Sequence, residues 1–171
     1  MKWSVGLAFM LLASVGRGQD TSAVVHENII AAPVAAVWRA WATAEGLTEW
    51  LAPHAAIDLR VGGTMRSNYD PQASLDHPET VENQILAFEP ERMLALKVTK
   101  MPATFPFPHA VQRMWSVVYF EPVDAEQTRV RSVSLGFEPS EESQRMRAFF
   151  ERGNAATLAK LQQHFAAALG R

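Results

Sequence analysis

The sequence has no cysteine, and this absence excludes several kinds of functional site. Disulfide bonds, thiolate nucleophiles, cysteine-ligated zinc and iron–sulfur clusters all require that residue. An excess of charge of one sign is also missing, because 16 Lys and Arg residues nearly balance 18 Asp and Glu residues. A chain with such balanced charge lacks the basic surface that binds nucleic acid or an anionic membrane. We therefore expect no nucleic-acid partner.

Motifs that identify the common enzyme classes are absent as well. The chain has no nucleophile elbow, phosphate-binding loop, dinucleotide fingerprint, zinc-protease helix or calcium-binding loop. Its 5 histidines are too scattered along the sequence for two of them to bind one metal ion at the usual spacings. We therefore expect no metal site, no cofactor and no catalytic residue that a motif would identify.

Long hydrophobic runs are scarce, and the one at the N-terminus has the features of a secretory signal peptide. Lys2 precedes apolar residues 3–15, and the small residues Gly16 and Gly18 follow. This run is short for a membrane span, which needs about 20 apolar residues. We predict that residues 1–18 are a signal peptide, that residues 19–171 form one domain, and that the protein is exported to the periplasm or secreted. An uncleaved membrane anchor or a mis-assigned start codon remains the alternative.

The remainder of the chain predicts an α+β domain. A segment rich in β-branched residues at 24–30 predicts the first strand, Pro33 opens a first helix, and a second short helix follows at 44–50. Alternating apolar and polar residues then predict an antiparallel meander, with a tight hairpin at Gly62-Gly63. The predicted strands of this meander are residues 55–61, 64–69, 80–88, 92–99, 111–121 and 127–137.

One long amphipathic helix is predicted for residues 140–169. Ser140 suits the N-cap, and Gly170 can end the helix. Hydrophobic side chains recur at three- and four-residue steps along one face, which must be covered by other parts of the protein. Gly153 interrupts that face, and its presence indicates a close approach, a kink or room for a ligand, unless it is simply tolerated.

This order of elements resembles the helix-grip fold of the START-like (SRPBCC) superfamily, in which a curved sheet wraps a long C-terminal helix. Several motifs stand in a characteristic order: residues 33–41, Trp50-Leu51-Ala52-Pro53, Asp58-Leu59-Arg60-Val61-Gly62-Gly63, residues 88–92, Thr128-Arg129-Val130, Gly136-Phe137, and Gly153 followed by Leu158 and Leu161. On these motifs, within the superfamily, the chain is most similar to the family named for the C-terminal domain of the activator of Hsp90 ATPase. Asn154 departs from the tryptophan that this family often has after the helical glycine.

The resemblance implies an internal cavity between the sheet and the last helix, occupied by an apolar or amphipathic small molecule. If Ser132 and Ser134 face that helix, the pattern of alternation places Arg129 and Arg131 in solvent. The proline-bearing loop at 100–109 would act as a lid. The predicted ligand-binding residues are Phe105, Phe107, Met114, Ser116, Val118, Phe120, Ser132, Ser134, Phe150, Gly153, Thr157 and Leu161.

Three functional hypotheses stay open on the sequence alone. The first is an exported carrier that binds a small hydrophobic or amphipathic molecule without transforming it. The second is an enzyme of the cyclase, isomerase or hydrolase type that uses the same pocket, with His109, Glu82 or Arg113 as acid–base candidates. The third is a protein-binding module whose outer sheet face, with Trp115 and Tyr119 around Val117, binds a partner or forms a weak homodimer.

Overall fold

A computed structural model of the chain describes residues 20–169, so the predicted signal peptide lies outside the described residues. Within this range the chain forms a seven-stranded antiparallel sheet, two short helices after the first strand, and a long C-terminal helix. The α+β helix-grip fold predicted from the sequence is therefore confirmed. No helix within residues 20–169 combines the length and the hydrophobicity that a membrane span needs.

The strands are arranged in the order β1-β7-β6-β5-β4-β3-β2, so the first and last strands along the chain are neighbours. All of the pairings are antiparallel, and the ladder of β4 and β5 has register shifts between Glu82 and Asn83 and between Ile85 and Ala87. The elements are β1 (Val24–Ile30), α1 (Val34–Ala42), α2 (Ala44–Trp50), β2 (His54–Ile57), β3 (Thr64–Asn68), β4 (Val81–Glu89), β5 (Met93–Lys100), a short 3-10 helix (Ala110–Arg113), β6 (Trp115–Pro122), β7 (Thr128–Leu135) and α3 (Glu141–Leu169).

The predicted tight hairpin at Gly62-Gly63 is wrong in its geometry. Strand β2 ends at Ile57, and the following residues form a longer turn held by hydrogen bonds of its own and by Ile85 of β4. The Gly62 amide donates to the Ile85 carbonyl, and the Ile85 amide donates to the Gly63 carbonyl, each over 2.8 Å. A Cβ at Gly63 would lie 2.1 Å from the Asp58 carbonyl oxygen, so this position requires glycine.

Strand β6 also begins later than predicted, at Trp115 instead of residue 111. Residues 110–113 form the 3-10 helix because the preceding prolines cannot supply the amide donors of a strand ladder. The Met114 amide donates to the Val111 carbonyl over 3.1 Å and closes that turn. This turn brings Val111 and Met114 into a hydrophobic cluster beside α3.

The hydrophobic core is divided into two clusters along α3, and this division positions the cavity. The larger cluster joins α1, α2 and the sheet to the C-terminal half of α3 through Leu158 and Leu161. The smaller cluster packs the proline loop and the 3-10 helix against the N-terminal half of α3 through Met146. The middle turns of α3, around Gly153, lie between the two clusters.

Candidate functional site

A cavity with two adjoining parts lies between α3 and strands β4 to β7. The first part, which we call the inner chamber, has a volume of about 130 Å³ and reaches Trp41 of α1. The second, the outer cleft, has a volume of about 400 Å³ and extends to Tyr69 and Phe149. The two parts share wall residues, so they lie side by side. The shared residues are Asn83, Val98, Phe150, Asn154 and Thr157.

The lining of the inner chamber is mainly apolar and contains no Asp, Glu, His, Lys or Arg side chain. A charged ligand placed there would lose its hydration without gaining a counter-charge, which is costly in a low-dielectric site. The lining therefore favours an uncharged occupant. Its apolar members are Trp41, Met65, Leu96, Val98, Met114, Trp115, Val118, Phe150 and Leu158, and its polar members are Asn83, Ser116, Ser132, Asn154 and Thr157.

A short chain of hydrogen bonds connects α3 to the floor of the inner chamber. The Asn154 side-chain amide donates to the Ser134 hydroxyl over 2.8 Å, and the Ser134 and Ser116 hydroxyls lie 3.0 Å apart. Ser116 and Ser134 meet because they are directly paired across β6 and β7. Ser134 is fully buried, so its hydroxyl is satisfied by protein partners and helps to fix Asn154 at the chamber wall.

Trp41 forms the inner end of the chamber, and its indole N–H is unusual. The side chain is 6% exposed and packs against the rings of Trp50 and Phe120, with centroids 5.0 and 6.3 Å away. Its Nε1 atom is buried and has no hydrogen-bond partner. By contrast, Nε1 of Trp50 donates to the Ala40 carbonyl over 2.9 Å and satisfies one of the last free carbonyls of α1.

Gly153 lines the outer cleft, and the space beside it is open. A Cβ built on this residue would meet no heavy atom within 4 Å. The residue is inside α3 and is not among the glycines with positive φ, so neither the backbone nor a close approach requires glycine. Of the readings that the sequence left open, the geometry excludes a close approach and agrees both with room for a ligand beside the helix and with a tolerated glycine.

The structure brings many of the predicted ligand-binding residues together but not all of them. Gly153 lines the outer cleft, and Ser134 lies behind the chamber wall and holds Asn154. Phe120 and Leu161 are instead buried in the larger core cluster and line neither part of the cavity. The predicted residues that line the inner chamber are Met114, Ser116, Val118, Ser132, Phe150 and Thr157.

The two phenylalanines of the proline loop lie beside α3, outside the inner chamber. Phe105 packs edge-on against Phe107 and Phe149, with centroids at 5.5 and 5.7 Å. Phe105 lines a separate space of about 240 Å³ with Met101, whereas Phe107 is buried in the smaller cluster. The loop thus covers the N-terminal half of α3 and leaves the outer cleft open next to Phe149.

Glu142 of α3 attaches this loop to the helix. Its carboxylate accepts hydrogen bonds from the backbone amides of Ala110 and His109, at 3.1 and 3.0 Å. The amide of Ala110, followed by that of His109, holds the pKa of Glu142 below its ordinary value, although burial acts in the opposite direction. The ionised form of Glu142 therefore stabilises the loop.

Several lining residues were missed by the sequence analysis. Leu96 and Val98 follow the alternation of β5, so the pattern that placed Met114 and Val118 could have identified them. Trp41 could not be separated from its neighbour Trp38, because both are buried aromatic residues on one face of α1. Asn154 was noted only as a departure from the family pattern.

The acid–base candidates of the enzyme hypothesis lie outside both parts of the cavity. Glu82 is within 3.4 Å of Arg66 Nε and 3.9 Å of Lys100 Nζ, and these contacts form an ion-pair group on the sheet. Arg113 pairs with Glu138 at 3.2 Å and is mostly exposed. Tyr69 is the one titratable side chain in the lining of the outer cleft.

The outer face of the sheet does not present three exposed hydrophobic side chains. Trp115, at the start of β6, is 37% exposed and also borders the inner chamber, whereas Val117 is only 4% exposed. The Arg131 guanidinium lies 4.5 Å from the ring centroid of Tyr119 and covers part of that ring. The apolar surface available for a partner is therefore smaller than the strand pattern alone indicates.

Comparison with known proteins agrees with this architecture. Residues 31–166 match the sequence model of the family described as "Activator of Hsp90 ATPase homolog 1-like protein". No curated protein matches the chain in a sequence search.

Solved structures with the same fold include proteins of different kinds. A crystal structure of a protein from Mesorhizobium loti is 22% identical, with a TM-score of 0.64, and covers 85% of this chain and 97% of its own. The Aha1 dimer from Colwellia psychrerythraea is 17% identical, with a TM-score of 0.64 and coverage of 84% and 95%. Norcoclaurine synthase from Thalictrum flavum, solved with dopamine and hydroxybenzaldehyde, is 13% identical, with a TM-score of 0.59 and coverage of 100% and 98%. At these identities the likeness shows the fold alone.

Proposed function

Given that the chain belongs to the family described as Activator of Hsp90 ATPase homolog 1-like protein, we propose that it is an exported protein that binds a small uncharged molecule. The ligand is apolar or amphipathic and occupies the inner chamber and the outer cleft between α3 and the sheet. The observation that carries this proposal is a cavity of two adjoining parts, whose inner part has a mainly apolar lining without any Asp, Glu, His, Lys or Arg side chain. Such concave, mostly apolar sites with a few polar groups are typical of small-molecule binding.

Gly153 supports binding as the purpose of the cavity. Glycine inside a helix costs about 1 kcal/mol relative to alanine. Alanine would fit at this position without any contact shorter than 4 Å, so packing does not explain the glycine. Space for a ligand beside α3 explains why the chain carries this cost.

Binding without chemistry is favoured over catalysis by the positions of the acid–base candidates. General acid–base catalysis needs a titratable group within hydrogen-bond reach of the reacting atoms. Glu82, His109 and Arg113 do not line the cavity, and the polar groups of the inner chamber are amides, hydroxyls and indoles. Tyr69 in the outer cleft is the only titratable side chain in the lining.

Native mass spectrometry of the purified protein tests the binding function. We expect a stoichiometric small molecule that is released on denaturation, or uptake of an uncharged amphipathic fluorescent probe by the empty protein. Gly153→Leu, which fills the outer cleft, should weaken that uptake. Ala156→Leu adds the same side chain at an exposed position of α3 and should not. A folded protein with no passenger and no probe uptake would contradict the proposal. The same spectra report any dimer, the state in which the Colwellia relative was solved.

The export part of the proposal rests on the charged start, apolar centre and small residues of residues 1–18. When the full-length chain is expressed in a bacterium, we expect it in the periplasm or the medium, with Gln19 as its N-terminal residue. Recovery of the intact chain from the cytoplasm would contradict export and would leave the binding proposal unaffected.

A further inference from the structure

The unpartnered indole N–H of Trp41 indicates what part of a ligand the inner chamber recognises. A buried N–H without an acceptor is costly, and such groups are rare in folded proteins. Within residues 20–169, the other buried side-chain atoms without a partner are His26 Nε2 and Arg66 Nε, and neither residue lines the inner chamber or the outer cleft. Arg66 still donates through Nη2 to the Leu75 carbonyl and lies beside Glu82.

The protein around Trp41 does not supply the missing acceptor. The indole nitrogen can only donate, so it needs an oxygen or another lone pair in front of it. Trp50 and Phe120 pack against the ring and offer aromatic carbon, and the only polar atom of Trp50 is itself a donor that is already bonded to Ala40. Trp41 lines the inner chamber. Its Nε1 atom has no exposed surface in the empty protein, so an acceptor in the chamber reaches the N–H when the indole ring turns toward the ligand.

The size of the inner chamber limits the group that can enter. Its volume is about 130 Å³. An apolar protein cavity of about 150 Å³ holds one benzene molecule. The lining carries no charge to compensate an ionised group, and the polar side chain of Asn154 is already hydrogen-bonded to Ser134. The chamber therefore fits one ring-sized, uncharged group.

We propose that the inner chamber binds an uncharged, ring-sized head group whose carbonyl or ether oxygen accepts a hydrogen bond from Trp41 Nε1. The rest of the ligand extends into the outer cleft, past Gly153. This inference rests on the proposed binding function and adds to it the chemistry of the recognised group. A water molecule on Trp41 is the competing occupant, and the experiment below separates the two.

Three probes of nearly equal shape provide the test. Acetophenone carries a carbonyl oxygen, isopropylbenzene replaces that oxygen with a methyl group, and benzoate replaces the methyl group of acetophenone with a charged oxygen. Each is titrated into protein purified after expression of the full-length chain and labelled with ¹⁵N. The indole N–H signal of Trp41 is identified by its loss in Trp41→Phe, and affinities are taken from the titrations.

We expect acetophenone to shift the Trp41 indole signal downfield and benzoate not to bind. Trp41→Phe should weaken the affinity for acetophenone by roughly five- to tenfold, which is the effect of one hydrogen bond. It should change the affinity for isopropylbenzene by less than about twofold. Trp38→Phe makes the same substitution three residues earlier, outside the cavity lining, and should change neither affinity. Because the comparison is between two probes in one variant, a general loss of packing affects both and cancels.

Two results would overturn the inference and leave the binding function standing. One is an equal loss of affinity for acetophenone and for isopropylbenzene in Trp41→Phe, because the hydrogen bond would then contribute nothing to binding. The other is saturation with acetophenone while the Trp41 indole signal stays unmoved, as expected if water keeps the N–H. If neither acetophenone nor isopropylbenzene binds, and a longer amphipathic probe is not taken up either, the proposed function itself fails.

Discussion

Replacing Gly153 with alanine should make the protein more stable. The residue lies in the interior of α3, where alanine is favoured over glycine by about 1 kcal/mol. Nothing lies within 4 Å of the added Cβ, so no steric term opposes this gain. For a chain of this size, about 1 kcal/mol corresponds to a rise in melting temperature of about 2–4 °C.

Gly46 is the matched control for this substitution, since it also lies in a helix. A Cβ at Gly46 would approach the Arg39 carbonyl oxygen to 2.4 Å and the Ala40 Cα to 2.7 Å. Both are backbone atoms that cannot rotate away, so Gly46→Ala should destabilise the protein by at least the about 1–3 kcal/mol typical of overpacking. The same glycine-to-alanine substitution in two helices is thus predicted to change the free energy of unfolding in opposite directions.

Urea denaturation of the two variants and the parent protein measures this difference. The predicted order of midpoints is Gly153→Ala above the parent and Gly46→Ala below it. A lower midpoint for Gly153→Ala would refute the reasoning, because it would mean that the space beside α3 is filled by protein. An unchanged midpoint for Gly153→Ala, together with unchanged probe uptake by Gly153→Leu, would point to the same conclusion.

The remaining predictions concern Trp50 and Glu142. Trp50→Phe should destabilise the protein by about 1–3 kcal/mol more than Trp41→Phe, because it leaves the Ala40 carbonyl without its donor. Trp41→Phe removes no hydrogen bond within the protein. Equal urea midpoints for the two variants would show that the Trp41 N–H already has a partner. Since the pKa of Glu142 is lowered in the folded state, its stabilising effect is present above the ordinary glutamate pKa and is lost as the pH falls through the lowered value. The urea midpoint of the parent should therefore exceed that of Glu142→Gln near pH 7 and converge with it as the pH falls through the lowered pKa of Glu142. A difference that does not vary with pH would contradict the role of the carboxylate.

The walls formed by β6 and β7 were predictable from the sequence because strand alternation is a local property. The burial of β7 alternates along its whole length, with Thr128, Val130, Ser132 and Ser134 buried, as the pattern predicts for a strand with one face on the core. Hydrophobic residues at helical spacing correctly predicted α3, and Ser140 correctly predicted its N-cap. The Ser140 hydroxyl accepts a hydrogen bond from the Ser143 amide over 3.2 Å.

Features that depend on distant contacts were not predictable in this way. The turn after β2 is held by Ile85, more than twenty residues away along the chain, so two adjacent glycines alone suggested a shorter hairpin. The role of Trp41 depends on an acceptor that its surroundings fail to supply, and no pattern in α1 distinguishes its N–H from that of Trp38. The cavity exists because two core clusters leave a gap along α3, and such a gap is a property of packing in three dimensions.

The central claim, that a small molecule binds between α3 and the sheet, is tested most directly by intermolecular nuclear Overhauser effects from bound acetophenone. Val118 lines the inner chamber, whereas its neighbour Val117 points to the opposite face of the sheet and is absent from the lining. We predict effects to the methyl groups of Val118 and Leu96 and none to those of Val117. Effects to Val117 or other residues of the outer face, without any to Val118, would contradict the claim.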